Sequence, residues 1–291
     1  MHGHDAVGLL GVHQQKGTAF PAEMFDPHRV APQLFERPRP ARDYLLIGGT
    51  TDLVSDAAVS AELEGTAASA VVTELAEAAF AHAQARELVG AALYVRDDRV
   101  AGFVGPDAAR RAAHIDDFSM LRVPGRDLAH YLASLDHSRR SVVKRDWRKL
   151  DEMMLRARCV TAASTVDEAL PLILAVKDRH GGGDHPAFLR LRMEEWAAEP
   201  LGRRVAFVIR SLEGRLLAAS FACHRGAVLE MHEVGLADGP ETRHLAYVEV
   251  LVYAPLRYAL EHGCSEIHLG LASPVPKRLR GASVTPVWAV G

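Results

Sequence analysis

The amino-acid sequence predicts an α/β (α+β) chain of two domains, with mixed, mostly antiparallel sheets flanked by helices. Three observations carry that expectation. At 291 residues the chain exceeds one typical domain, and 48% apolar with 24% charged residues is ordinary globular composition. Segments with helical apolar spacing alternate with short runs rich in β-branched residues, so neither class dominates. The two halves also differ in charge. Residues 1–135 hold 12 Lys and Arg against 18 Asp and Glu, whereas residues 136–291 hold 22 against 19. The boundary is placed between 135 and 136.

Residues 1–43 are rich in Pro and His and read as irregular, with "MHGHD" a tail. "YLLIGGT" is a short apolar strand ending in a glycine turn. "TAASAVVTELAEAAFAHAQAREL" has apolar residues at helical spacing and no breaker, which predicts a helix from about Thr66 to Leu88. "GAALYVRD" and "AAHIDDFSMLRV" read as strands. "RDLAHYLASL" is helical and leads through the cap-competent Asp136 and Ser138 into "RRSVVKRDWRKLDEMMLRA", a second helix. The second domain then runs strand ("CVTAA"), helix (Val166 to about Arg179), glycine loop ("HGGGDHP") and helix ("AFLRLRMEEWAA"). Three antiparallel strands follow: "RRVAFVIRS", "RLLAASFACH" and "AVLEMHEVGLA", joined by the Gly-containing connections "LEGR" and "HRGA". A long helix from about Arg243 to His262, the strand "SEIHLGL", a cationic turn and the strand "SVTPVWAV" complete the chain.

Several classes are set aside at once. No apolar run reaches the length of a membrane span, and "AYVEVLVYAPLRYAL" carries Glu249, Pro255 and Arg257. The N-terminus has no basic start followed by an apolar core, so no signal peptide is read and the expected location is the cytoplasm. Cys159, Cys223 and Cys264 lie far apart without metal or redox spacing, and read as reduced core thiols. His180, Asp184 and His185 match no standard metal site, so no metal is expected. The three glycines beside them read as a mobile lid, and Asp184 as the helix start. A local basic patch on a mildly acidic chain points to an anionic ligand met at one place.

The patch has two parts. Arg140, Lys144 and Arg148, at i, i+4, i+8, make a cationic stripe beside the apolar stripe Val143, Trp147, Leu150 and Met154. Three cations at that spacing repel one another unless an anion joins them. A nucleic-acid backbone or a pyrophosphate group would do so. The second part is "PVPKRLRG", where Lys277, Arg278 and Arg280 follow the strand "IHLG", a position where α/β folds gather ligands. Lys277 suits phosphate binding or oxyanion stabilisation, Arg280 bidentate phosphate capture, and Arg278 the surface. Strict alternation along "VLEMHEVG" puts Glu230 and His232 on one face, with Leu229, Met231 and Glu233 on the other. His232 has an intrinsic pKa suited to taking a proton from an amine. Glu249 and Tyr253 are i, i+4 neighbours on an apolar helix face, with Tyr247 nearby. Such a carboxylate needs a partner, either an acceptor's ammonium or the tyrosine.

Four stretches, "YLASLDHSRRSVVKRDWRKL", "GRLLAASFACHRGAVLEMHEVGLA", "AYVEVLVYAPLRYALEHGCSEIHLG" and "KRLRGASVTPVW", give most of residues 130–291 a resemblance to GNAT-fold acyltransferases. The resemblance is closest to their tandem-domain, Fem-like branch, usually labelled peptidoglycan-biosynthesis proteins. It implies two GNAT-like domains, 1–135 degenerate and 136–291 the acyltransferase. It also implies transfer of an acyl group to an amine, with Glu233 where many such enzymes keep a carboxylate base. The pattern K-x-x-R-G is retained as Lys277, Arg280 and Gly281.

CoA-using members carry Q/R-x-x-G-x-G/A before the long helix, where backbone N–H groups hold pyrophosphate. Here that place reads "LADGPETRHLAY". Pro240 offers no N–H and Glu241 repels phosphate. Acetyl-CoA thus fits poorly, and the resemblance to the Fem-like branch, whose members take an aminoacyl group from charged tRNA, implies an aminoacyl-tRNA as co-substrate, with no resident cofactor. The expected acceptor is an amine of a small metabolite or cell-wall precursor. An acetyl-CoA-dependent N-acetyltransferase and a non-catalytic binding protein of the same fold are the alternatives.

Overall fold

The computed structural model describes residues 8–17, 23–35, 42–48, 54–60, 62–105, 110–180, 182 and 184–291, the side chains of 240–242 excepted. In chain order the first elements are β1 (Gly8–Leu10), β2 (Val12–Gln15), α1 (Pro27–Val30), β3 (Tyr44–Ile47), β4 (Ala57–Val59) and α2 (Gly65–Ala85). Next come β5 (Val89–Arg96), α3 (Val100–Val104), β6 (Ala112–Arg122), α4 (Leu128–Ser134), α5 (His137–Glu152) and β7 (Arg158–Thr161). Then follow α6 (Val166–Arg179), α7 (Pro186–Ala198), β8 (Arg203–Arg210), β9 (Leu216–Arg225) and β10 (Val228–Leu236). The long helix is α8 (Pro240–Val248), a π-helical turn (Glu249–Tyr253) and α9 (Ala254–His262). Last are β11 (Glu266–Gly270), α10 (Pro274–Arg278) and β12 (Ser283–Val290). No helix among the described residues is long and apolar enough to cross a membrane.

The chain divides into two compact units, 1–118 with 285–291, and 119–284. The sequence reading cut the chain once, at 135/136; the units divide at 118/119 and return the final strand to the first. The reason is pairing. Val287, Trp288 and Val290 of β12 lie antiparallel to β5 in the first unit. There β3 pairs antiparallel with β2 and parallel with β5. Val72, Ala76, Ala79 and Ala83 of α2 recur at helical spacing and pack over Leu45, Ile47, Ala92 and Val95. Residues 1–43, expected to be irregular, supply β1, β2 and α1. All four residues of β3 are buried, and a strand buried on both faces needs partners at both edges. The "MHGHD" tail lies outside the described residues.

In the second unit, Ser119–Arg122 of β6 begin a sheet whose order is β6-β11-β10-β9-β8-β7. Only the β10–β11 pair is parallel. Helices α6 and α7 cover one face, burying Ala169, Ile173, Leu189 and Met193 over Ala206 and Phe221. Helices α5, α8 and α9 cover the other, with Val143, Leu150, Val248 and Leu256 over Ala222, Leu229 and Met231. Gly235 of β10 lets α6 lie close, since a Cβ there would sit 2.9 Å from the Ile173 nitrogen and 2.8 Å from the Leu172 Cβ. The cationic segment after β11, expected as a turn, carries α10, which ends at Arg278.

The π-helical turn has a local cause. The Ala254 N–H reaches back five residues to the Glu249 carbonyl, and Pro255 has no N–H. The Val250 carbonyl thus loses its i+4 and i+5 donors together, and the fully buried Ser220 hydroxyl on β9 donates to it instead. Ser220→Ala leaves that carbonyl buried and unsatisfied. The expected cost is about 1–3 kcal/mol of stability in urea denaturation, with the fold retained.

Candidate active site

Strands β10 and β11 pair only at Val228–Glu266, Leu229–Ile267 and Glu230–His268, after which they part. The site is built at this parting. On one side lies the continuation of β10, and on the other the turn that follows β11. The register of β10 against β9 shifts between Met231 and Val234, a β-bulge that breaks the alternation assumed from sequence. Glu233 therefore joins His232 on the side covered by α6 and α7, rather than lying opposite it.

On that side four charges meet. Glu233 Oε1 lies 3.0 Å from Lys177 Nζ of α6 and 2.8 Å from an Arg192 Nη of α7. Asp184 Oδ2 lies 3.2 and 3.1 Å from the same two groups. Asp184 thus binds cations instead of starting α7, whose cap is the His185 side chain. His232 lies flat against Trp196, ring centroids 4.6 Å apart and planes 10° apart. The Arg204 guanidinium also lies over the indole, 5.0 Å from its centroid. Burial pushes the His232 imidazole down from 6.5 to about 4; Arg192, Lys177 and Arg204 add to the shift and Glu233 opposes it. The ring is then neutral at physiological pH. It is a weaker base than its intrinsic pKa suggested, with one ring nitrogen free to accept a hydrogen bond. Glu230, on the same face, adjoins Cys223 and His268 on its neighbouring strands.

On the other side Lys277 and Arg280 point inward, while Arg278 is exposed as expected. Lys277 is only 2% exposed, and its Nζ donates to the carbonyls of Gly270 (3.1 Å), Leu271 (2.8 Å) and Ala272 (2.8 Å). Those donors clamp a turn in which Ala272 (φ 58°) and Ser273 (φ 47°) hold left-handed conformations costly for non-glycine residues. Arg280 is 1% exposed and pairs with buried Asp146 of α5. It also donates to the Tyr253 hydroxyl (3.2 Å) and the Pro276 carbonyl (2.8 Å), and contacts His244 Nε2 at 3.2 Å. Tyr253 donates to the same Asp146 oxygen (2.8 Å), and Tyr131 to the Arg280 carbonyl (2.8 Å). Burial, then the adjacent Arg280, holds the His244 imidazole below its usual value. Tyr247 bonds the Ser273 side chain, and burial pushes its phenol up to about 12.

The remaining expected site residues are dispersed. Arg140 donates to the Leu132 (2.9 Å) and Leu135 (2.8 Å) carbonyls at the end of α4. Arg148 lies 3.7 Å from Glu152. Lys144 is exposed, and neither it nor Lys149 has a carboxylate within ion-pair distance among the described residues. The stripe is therefore not one surface: its first member is an internal clamp. Glu249 is fully buried, accepts from the Ala157 N–H (3.0 Å) and pairs with Arg257 rather than with Tyr253. The π-helical turn carries Tyr253 round to Asp146. Sequence reasoning missed Asp146, although it falls three residues after Val143 and four before Leu150, at a core position among cations.

At α8 the chain enters the helix through Gly239 (φ 151°), with no side-chain cap, and Pro240 is the first helical residue. The Asp238 carboxylate pairs with Arg179 at 2.8 Å. The Glu241 side chain lies outside the described residues.

Residues 137–277 match a family model described as an acetyltransferase (GNAT) domain, a span that lies within the second unit. The fold of the chain resembles three solved structures. One is the C-terminal domain of a putative lysylphosphatidylglycerol synthetase from Agrobacterium fabrum (TM-score 0.54, 12% identity, 84% of this chain and 79% of that one). Another is FemX (0.54, 10%, 88% and 86%). The third is L-PGS from Bacillus licheniformis (0.52, 10%, 85% and 77%). At these identities the likeness establishes a GNAT-like fold, a mixed sheet flanked by helices. No curated protein matches the chain in sequence.

Two outcomes follow from the geometry. Asp146→Ala strands a buried guanidinium and is expected to cost about 3–5 kcal/mol in urea denaturation. The Asp146→Leu/Arg280→Met pair recovers most of that loss. For His232, above pH 6.5 the ring is neutral folded and unfolded alike and adds no pH dependence. Between pH 6.5 and about 4 the unfolded chain binds a proton that the folded chain refuses, so stability falls with pH. In Tm measured against pH, His232→Gln flattens that window.

Proposed function

We propose that the chain is an N-acyltransferase that moves an aminoacyl group from charged tRNA to the amine of a small metabolite or cell-wall precursor. The observation that carries the choice of donor is the start of α8. Where a CoA-using GNAT domain holds pyrophosphate on backbone N–H groups, this helix opens on a proline, which has none. A pyrophosphate is poorly held there, whereas α5 offers Lys144, Arg145 and Lys149 at its surface to a polyanionic donor.

The reaction is ester aminolysis. The amine nitrogen bonds to the acyl carbon, the ester C–O bond breaks, and the departing ribose hydroxyl takes up the proton that the amine gives up. Such a reaction is downhill and needs alignment more than a strong base. That suits a neutral His232 that orients the amine and a Glu233 already held by two cations. In this reading Lys277 and Arg280 are positioning residues that set the turn beyond β11. Acetyl transfer from acetyl-CoA is the second reading, favoured by the description of the matching family model.

The two are separated by supplying the purified chain with amine acceptors and either total aminoacylated tRNA or acetyl-CoA. Amide product is expected with tRNA alone, abolished by ribonuclease, with affinity for tRNA falling steeply between 50 and about 200 mM salt. Product from acetyl-CoA that survives ribonuclease overturns the tRNA reading.

A further inference from the structure

In and beside the four charges around β10, two atoms are left unserved. Arg192 Nε and His232 Nε2 are both enclosed, and among the described residues neither has a hydrogen-bond partner. A buried guanidinium N–H without an acceptor is costly to keep, and a ligand that supplies one removes the cost. The charged groups beside them are unevenly anchored. Both cations touch the same two oxygens, Glu233 Oε1 and Asp184 Oδ2. Glu233 belongs to the sheet, whereas Asp184 lies in the link between α6 and α7. Asp184 therefore occupies a place where Lys177 and Arg192 would equally well hold a carboxylate from elsewhere.

We propose that this cluster is the acceptor pocket and that its ligand is a free amino acid, or a molecule ending in one. The ligand carboxylate takes the place of Asp184, accepting from Arg192 through Nε and Nη2 side by side and from Lys177. The ligand amine donates to Glu233 and to the Nε2 lone pair of His232, with Trp196 behind the imidazole as a flat wall. The choice of a zwitterion follows from the mixture of groups. An inorganic phosphate satisfies Arg192 but faces the Glu233 carboxylate, and a simple amine satisfies Glu233 but leaves Arg192 Nε empty. Only adjacent negative and positive groups match both halves of the site. The fate of the bound amine rests on the acyl-transfer reading; the binding does not.

The test is calorimetric titration of the full chain with the twenty free amino acids, each ligand found being repeated as its carboxamide and as its decarboxylated amine. At least one amino acid is expected to bind with Kd below about 1 mM. Loss of its carboxylate is expected to weaken binding tenfold or more. Arg192→Lys, which keeps the charge and removes the Nε–H fork, weakens it similarly, and Asp184→Asn, which removes the competing carboxylate, strengthens it. Should Arg192→Lys fail to fold, the ligand series on the unaltered chain decides. Absence of binding by every amino acid, or equal binding of the decarboxylated amine, overturns the site. Amino-acid binding without acyl transfer from any donor sinks the transferase reading and leaves the site standing. Transfer to a carboxylate-free amine at undiminished kcat/KM does the reverse.

Discussion

A carboxylate and a guanidinium, each all but sealed from water, tie the middle of α5 to the segment beyond α10 through the Asp146–Arg280 pair. Neither charge is tolerable alone at that depth, so the two segments meet or the domain pays heavily. Tyr253 completes the arrangement from the long helix, and Tyr131 holds the Arg280 main chain from α4. Four parts of the sequence, separated by up to 149 residues, converge on one pair of groups. The turn after β11 inherits its position from that pair, and Lys277 then fixes its shape by collecting three carbonyls.

This explains why Lys277 and Arg280 at the last strand are so conspicuous in the sequence and so little exposed in the fold. A basic cluster after a strand reads as a place for an anion. Here the chain brings its own anion, Asp146, from the helix whose cationic stripe was expected to share the ligand. The convergence of the two segments is present, but the negative charge between them is internal. Arg140 behaves likewise, spent on the orphan carbonyls that end α4.

The elements themselves were largely legible. Periods of two and 3.6, Asp136 as a helix cap and the glycine joints between strands identify β5 to β11 and their helices except the short α3, because each signal is local. What escaped was set by pairing at a distance. Period-two logic assigned Glu233 to the wrong side because a bulge, one residue wide, lies between Met231 and Val234. The i, i+4 reading of Glu249 and Tyr253 failed because a π-helical turn, fitted around Pro255, separates them. Residues 1–43 look irregular in isolation, and β2 acquires its conformation from β3. Asp146 was readable in principle, as the one acid at a core position of a basic helix.

Taken together, the paired and unpaired groups divide the domain by purpose. Lys277, Arg280, Arg140 and Glu249 are each matched with main chain or with an opposite charge, and each joins two elements. Buried polar groups with full sets of partners rigidify a fold, and such residues make poor first contacts for a substrate, since binding must first break what they hold. Of the enclosed polar atoms left without a partner among the described residues of this domain, Ser119 Oγ and Trp147 Nε1 stand singly, whereas Arg192 Nε and His232 Nε2 both belong to the charged cluster beside the β10 bulge. A bulge turns successive side chains to one side, so His232 and Glu233 face the same way there and would not on a regular strand. Unmet hydrogen-bonding capacity beside that distortion, rather than the density of positive charge, is the more selective physical sign of where a ligand belongs.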